Sequence, residues 1–275
     1  MTTKNPSNSE SITTLIVGAG AVENAWSPIV KALNNFHHVP MTADGSNAFL
    51  ARLIYLLRWY SASETPEGKQ AYKETLAMLT KIRSSICREL RKAEEKGQIR
   101  VRPEFEEVIK SRILPYSSKI LLVTTNWDNV VGRYLSKILN TKVVKFEVRP
   151  QFIHGSYNTP NLLYLPTEMT KEPYRTKGEE MRIGKTHGAI WRAMEKTNRS
   201  VVYGLSISPL DAELSQILAC GWSSPLMREL EIITPDHALV AHRAKLLLDP
   251  RYNNNIIVRG YSPFLLDSPI DYSST

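Results

Sequence analysis

Leu15-Ile16-Val17-Gly18-Ala19-Gly20 is the stretch that decides the fold. Three consecutive apolar residues, two of them β-branched, predict a buried strand, and the glycines predict that it breaks into a tight turn. A helix is expected next: Trp26, Ile29, Val30 and Leu33 fall at helical spacing, and Asn34-Asn35 offers a stop. Glycine at such a turn lets backbone approach a pyrophosphate, and a helix N-terminus favours anionic charge. The usual dinucleotide fingerprint carries a third glycine, which Glu23 replaces here. On this stretch alone, a phosphate cradle and a plain tight turn are equal readings.

Outward from there, the periodicity changes twice. Ser46 is placed to cap a second helix, whose Phe49, Leu50, Leu53, Ile54, Leu57 and Tyr60 make one apolar face. Thr65-Pro66-Glu67 opens a long third helix, with a stripe through Tyr72, Leu76, Leu79, Ile82, Ile86, Leu90 and Ala93 that closes at Gly97. A shorter helix is predicted over residues 104–113. Strand and helix then alternate. Strands are expected at 119–125, at Val144, Phe146 and Val148, and at 200–203, 232–233 and 256–258, with short extended pieces at 151–154 and 161–165. Helices are expected at 130–139, around Ile190, Trp191 and Met194, over Leu210 to Leu218, and up to Leu246. Residues 167–184, polar and rich in charge, read as a surface loop.

One strand, several helices, then repeated strand-helix units predict an α/β fold. The expectation is a Rossmann-like doubly wound parallel sheet with a helical insertion at about residues 40–115. Residues 1–11 read as a flexible N-terminal tail and residues 12–275 as a single domain. Such sheets bind ligands at the carboxyl ends of their strands. Three polar clusters fall there: residues 18–20, 124–128 and 204–208.

Composition narrows the classes. The chain has 275 residues, a net charge of +8 and 42% hydrophobic residues, too apolar for a disordered chain. Cys87 and Cys220 are the only cysteines, which excludes a disulfide framework and a four-cysteine zinc site within the chain. Residues 15–22 are too short an apolar run to span a bilayer, so a soluble cytoplasmic protein is the default. Eleven basic and six acidic residues lie in 81–119. That segment reads as a solvated helix face rather than a nucleic-acid footprint.

Several single motifs fail. Gly184-Lys185-Thr186 resembles the end of a P-loop, but Glu179 stands where its first glycine belongs. Gly204-Leu-Ser206-Ile-Ser208 resembles a nucleophile elbow with Ser208 in place of the closing glycine, which makes a serine hydrolase the lesser reading. His237 and His242 are five apart and share no helix face, so no metal is expected.

Taken together, the clusters say more. Gly18-Ala-Gly20, Thr124-Thr-Asn126-Trp-Asp128, His154-Gly155-Ser156 and Gly204-Leu-Ser206 with Asp211 occur in that order, each after a predicted strand. This series resembles the sirtuin-like superfamily over about residues 14–245, in particular its bacterial NAD-consuming branch found in antiviral defence. Two His-Gly pairs compete for the family's histidine. His154 is favoured, because residues 163–167, the Trp191 helix and the strand before Gly204 then follow in the family's order; His187 would cap or start the Trp191 helix.

The resemblance implies NAD as substrate and no metal. Asn126 would hold the ribose hydroxyls and the attacking water, and His154 would be the general base, a role suited to a group titrating near neutrality. Asp128 would bind the nicotinamide carboxamide, next to Thr124 and Thr125, with Trp127 as an aromatic wall. Gly18, Ala19 and Gly20 would cradle the pyrophosphate, Gly204 and Ser206 would border the adenosine ribose, and Thr234 would be a further adenosine-side contact. The deacylases of the superfamily carry a four-cysteine zinc ribbon between the HG and G-x-S motifs, which this chain lacks. Val22 departs from a serine common in the family, for which Asn24 or Ser27 could stand in.

The expected activity is therefore an NAD glycohydrolase releasing nicotinamide and ADP-ribose, or a cyclised ADP-ribose, in bacterial anti-phage defence. It would be gated by homo-oligomerisation or by a regulatory protein. The rival is a non-catalytic sensor of NAD or ADP-ribose that controls a partner, which Val22 favours.

Overall fold

A computed structural model describes residues 12–36, 42–117, 119–140, 150–251 and 255–273. The expected tail (1–11), the loop at 37–40 and the strand expected at Val144, Phe146 and Val148 lie outside the described residues. The strands are β1 (Ile12–Val17), β2 (Val22–Glu23), β3 (Arg100–Val101), β4 (Lys119–Thr124), β5 (Gln151–Phe152), β6 (Arg199–Tyr203), β7 (Glu229–Ile233), β8 (Ile257–Ser262) and β9 (Leu265–Asp271). The helices are α1 (Ser27–Leu33), α2 (Ala43–Ser61), α3 (Pro66–Glu95), α4 (Pro103–Val108), α5 (Val130–Asn140), α6 (Lys177–Met194), α7 (Ala212–Trp222) and α8 (His237–Lys245).

The fold is α/β and Rossmann-like. Seven strands form one sheet in the order β5-β4-β1-β6-β7-β8-β9, parallel except for the β8–β9 pair. The chain starts in the middle at β1, steps outward to β4 and β5, then returns to β6 on the other side. The order therefore reverses between β1 and β6, and a crevice opens where the loops leaving those strands part. Register makes the crevice level: Val17 pairs with Thr124 on one side and Tyr203 on the other. The glycine turn, the Asn126 segment and Gly204 therefore leave the sheet together.

The apolar run of β1 is needed because both of its faces are covered. Leu15 and Val17 pack with the helices of the insertion, and Ile16 packs with α6, α7 and α8. All three side chains are 0% exposed, and each contributes about 1.5–3 kcal/mol by leaving water.

Between β1 and β4 lie α1 to α4 and the small β2–β3 pair. Thr65 caps α3, with Pro66 at its first position, and Gly97 ends it at φ +63° while the Gln98 amide donates to the Ala93 carbonyl at 2.8 Å. The cap of α2 is Thr42, not Ser46: Thr42 Oγ1 accepts from the Gly45 amide at 3.0 Å, and Ser46 is buried one turn in, donating back to the Thr42 carbonyl. Both hydroxyls suit a cap, and two more polar residues fit into the first turn than the apolar pattern indicates.

Three other expectations are corrected. The turn after β1 does not open directly into a helix. A single 3-10 turn (Ala19–Ala21) and β2 intervene before α1. Residues 160–162 form a 3-10 turn rather than an extended piece. The charged segment 167–184 is not a surface loop: α6 begins at Lys177 with a Thr176–Glu179 capping box, and Glu168, Glu172 and Arg175 are buried. No helix among the described residues is long and apolar enough to cross a membrane.

Candidate functional site

The crevice is built on backbone contact. The Gly18 amide donates to the Tyr203 carbonyl and the Gly20 amide to the Gly204 carbonyl, both at 3.0 Å. A Cβ on Gly18 would lie 2.5 Å from the Gly204 oxygen, and one on Gly204 would lie 2.7 Å from Gly20 Cα. Gly204 also sits at φ +58°, a conformation side chains resist. Glycine is needed here for two loops to touch. The Gly18 and Gly20 amides are therefore already engaged, and only Ala19 of the three lines the larger of two cavities on either side of this contact.

That larger cavity measures about 560 Å³ and brings together Asn126, Asp128, His154, Tyr164 and Asp211, with Gly204 and Ser206 at its border. Asn126 is 7% exposed, and its Nδ2 is a buried donor with no partner among the described residues. Thr124 holds the turn that presents it: the threonine hydroxyl donates to the Val17 carbonyl at 3.1 Å and accepts from the Asn126 amide at 3.0 Å. Thr124 thus shapes the site and does not line it, whereas Thr125 does. Trp127 also lines it, with a buried, unpartnered Nε1 among the described residues.

His154 Nε2 lies 3.0 Å from Asp211 Oδ2, and the imidazole stacks on Tyr164 with ring planes 12° apart. Asp211 is fixed in turn, because its Oδ1 accepts from the Leu214 amide at 3.1 Å and caps α7. Burial raises the Asp211 carboxyl, but the charge and hydrogen bond of His154, with the Leu214 amide, outweigh it and hold the group below its ordinary value. An ionised Asp211 favours the tautomer with the proton on Nε2. Nδ1 then carries the lone pair, as a base requires. No hydrogen bond joins Ser206 to His154 among the described residues, so the serine-hydrolase arrangement is not formed.

His187 has a different part. It sits buried within α6 rather than at its start, its Nε2 donating to the Ile153 carbonyl at 2.9 Å and its Nδ1 3.4 Å from Glu213. It braces the segment that carries His154 and lines only a small separate cavity. Val22 is 1% exposed and packs in the core through its pairing with Val101. It does not line the cleft, and Ala25 and Trp26 supply that wall instead.

Asp128 is 5% exposed and accepts from the Val130 amide at 3.0 Å, at the entrance to α5. Burial pushes its carboxyl up to about 6; the Val130 amide opposes this and the charge of Glu94 adds to it. A carboxyl held above its ordinary 3.8 supports folding fully below that value, and this contribution is lost as pH rises through about 6. Asp128→Asn keeps an oxygen for Val130 and removes the buried charge. It is expected to exceed the parent in stability at pH 8 by up to about 3 kcal/mol and to match it near pH 4. Urea unfolding at both values checks this, and parallel pH profiles would refute burial as the cause.

A second cavity of about 340 Å³ lies on the far side of the glycine contact, lined by Gly20, Gly204, Ser206 and Thr234 together with Arg102, Glu104 and Arg243. Two strained β-branched residues lie close to the cleft: Ile207 at φ +45° and Thr167 at φ +70°. Such conformations cost about 1–3 kcal/mol and persist where surroundings impose them. Arg243 grips the neighbouring Ser206 carbonyl at 2.9 Å, and Arg58 grips the Thr167 carbonyl at 2.7 Å.

Residues not singled out from the sequence complete the site. Glu168 accepts from Arg83, from Arg175 at 3.0 Å, from the Tyr174 hydroxyl at 2.8 Å and from the Leu165 amide at 2.6 Å. Glu172 pairs with Arg58. These bonds clamp the loop bearing Leu165, Pro166 and Thr167, all cavity-lining, onto α2 and α3. Part of the basic run at 81–119 is consumed the same way. Arg83 is buried, Arg100 pairs with Glu23 at 2.6 Å, and Arg112 reaches the Tyr261 hydroxyl and the Leu266 carbonyl. Among the described residues no group of three or more His, Cys, Asp or Glu side chains is placed to hold a metal; His237 bonds to the Tyr272 hydroxyl and His242 is exposed.

The chain matches no protein-family model and no curated protein.

Proposed function

We propose that this chain cleaves the nicotinamide–ribose bond of NAD with water, giving nicotinamide, ADP-ribose and a proton, or closes the ADP-ribose on itself. The observation that carries the reading is the pairing of an unpartnered, buried Asn126 with an aspartate-held His154 in one cavity at the point where the strand order reverses. Loss of nicotinamide leaves positive charge on the ribose. Asn126 would fix the ribose hydroxyls and the incoming oxygen, and His154 would take the proton, with Asp211 supporting the imidazolium. Asp128 would hold the carboxamide. Ala19 and the Gly20–Gly204 contact would lie along the pyrophosphate, which would run from the larger cavity to the smaller one. The setting in anti-phage defence, and gating by self-assembly or by a second protein, rest on the resemblance of the motifs.

The test is incubation of purified protein with NAD across its assembly states, followed by chromatography. Nicotinamide and ADP-ribose, or a cyclic product, are expected. Calorimetric binding of NAD with no nicotinamide released in any state would instead assign the chain as a sensor.

A further inference from the structure

The insertion contributes to the smaller cavity a residue that none of the sequence motifs contains. The β2–β3 pairing, with the Arg102 amide donating to the Ala21 carbonyl at 3.0 Å, brings Glu104 beside the glycine turn. Glu104 lines the cavity, and its Oε2 is buried with no partner among the described residues. A carboxylate oxygen withdrawn from water without a donor is destabilising, and a ligand that supplies donors relieves the cost. Tyr203 lines the same cavity; burial, helped by the Glu104 charge and opposed by Arg102, pushes its phenol up to about 12, so it stays protonated.

The remaining charges decide the ligand class. Arg102 and Arg243 face the cavity, but so do Glu104 and Asp236, so the four sum to zero. Arg243 is further committed to the Ser206 carbonyl. This lining has no surplus cation for a dianionic phosphate, while its free oxygen suits neighbouring hydroxyl donors. A carboxylate accepting from a ribose diol is the general means of preferring a dinucleotide with free hydroxyls over its 2′-phosphorylated counterpart.

We infer that Glu104 is the specificity-determining residue of this cavity, accepting from the 2′- and 3′-hydroxyls of an adenosine ribose and excluding a 2′-phosphate. The inference rests on the proposed NAD-cleaving reading for the placement of the adenosine end, and its test does not depend on turnover. ADP-ribose and 2′-phospho-ADP-ribose are titrated calorimetrically into the parent protein, Glu104→Gln and Arg102→Ala, with melting curves to confirm folding. The parent is expected to favour ADP-ribose. Glu104→Gln is expected to lose about 10-fold or more in affinity for it while binding the 2′-phosphate form no more weakly than the parent does.

Unchanged affinities in Glu104→Gln overturn the inference, as does absence of ADP-ribose binding to the folded parent. A parent that prefers the 2′-phosphate and loses that preference in Arg102→Ala overturns it too, and names Arg102 as the reader. The two readings fail separately: discrimination without nicotinamide release sinks only the cleavage reaction, and nicotinamide release by a parent whose ADP-ribose affinity is indifferent to Glu104→Gln sinks only this assignment.

Discussion

His154→Ala is expected to lower the rate of nicotinamide release by about 10²–10⁴-fold, the range for loss of a positioned general base. In the proposed reaction, nicotinamide departure makes the ribose electrophilic, and the attacking oxygen must shed a proton as it bonds. His154 is the imidazole lining the larger cavity, and its Nε2 is already occupied by Asp211. The loss should therefore fall on kcat, with KM for NAD nearly unchanged. Asn126→Ala should be of similar size and should also raise KM, since the amide is assigned to the ribose hydroxyls in the ground state as well. His187→Ala is the control. Its ring is held by Ile153 and Glu213 behind the cavity, so it should lose stability while the folded fraction keeps its turnover. Inactivity of His187→Ala alone, in folded protein, would reverse the assignment of the two His-Gly pairs.

Glu168→Ala is expected to destabilise the protein by about 3–5 kcal/mol, because it leaves the charges of two arginines without their acceptor in the interior. Arg83 and Arg175 are each 8% exposed, and Glu168 is 4% exposed. The Leu165 amide and the Tyr174 hydroxyl lose their partner as well. Lys81→Ala, on the same helix two residues before Arg83 but exposed, should change stability by no more than about 0.5 kcal/mol. Urea unfolding of both variants measures the difference. Equal, small effects would mean that water enters and solvates the arginines. Since the clamped loop lines the cavity, Glu168→Ala should also weaken the proposed NAD binding in whatever fraction remains folded.

What the sequence reveals, and what it hides, follows from how each part is held. The strands of the sheet are legible because they are buried on both faces and so must be apolar without interruption, as at Leu15, Ile16 and Val17. β9 is missed because an edge strand buries little, and Asp267, Ser268 and Pro269 give it no apolar signature. The histidine, asparagine and glycine clusters are visible because each sits at a strand end. Asp211 is visible as a polar neighbour only; its bond to His154 joins segments far apart in sequence. Glu168, Glu172, Arg83 and Arg175 look like solvent-facing charge, since a composition cannot show that opposite charges meet inside the protein. Glu104 is hidden for a related reason: its place depends on the two-residue pairing of β2 with β3.

The central position of β1 has a consequence for the order in which the protein comes into being. One neighbour, β4, follows within the first half of the chain; the other, β6, ends at Tyr203, nearly three-quarters of the way along. A ribosome adding about 5–20 residues per second exposes one edge of β1 for several seconds before its second partner is made. Until Gly204 emerges, the glycine turn has nothing to close against and neither cavity has its shared wall. A chain interrupted before that point carries the Asn126 and His154 segments but no crevice, so the proposed NAD cleavage would be absent from every copy that stops short of Gly204.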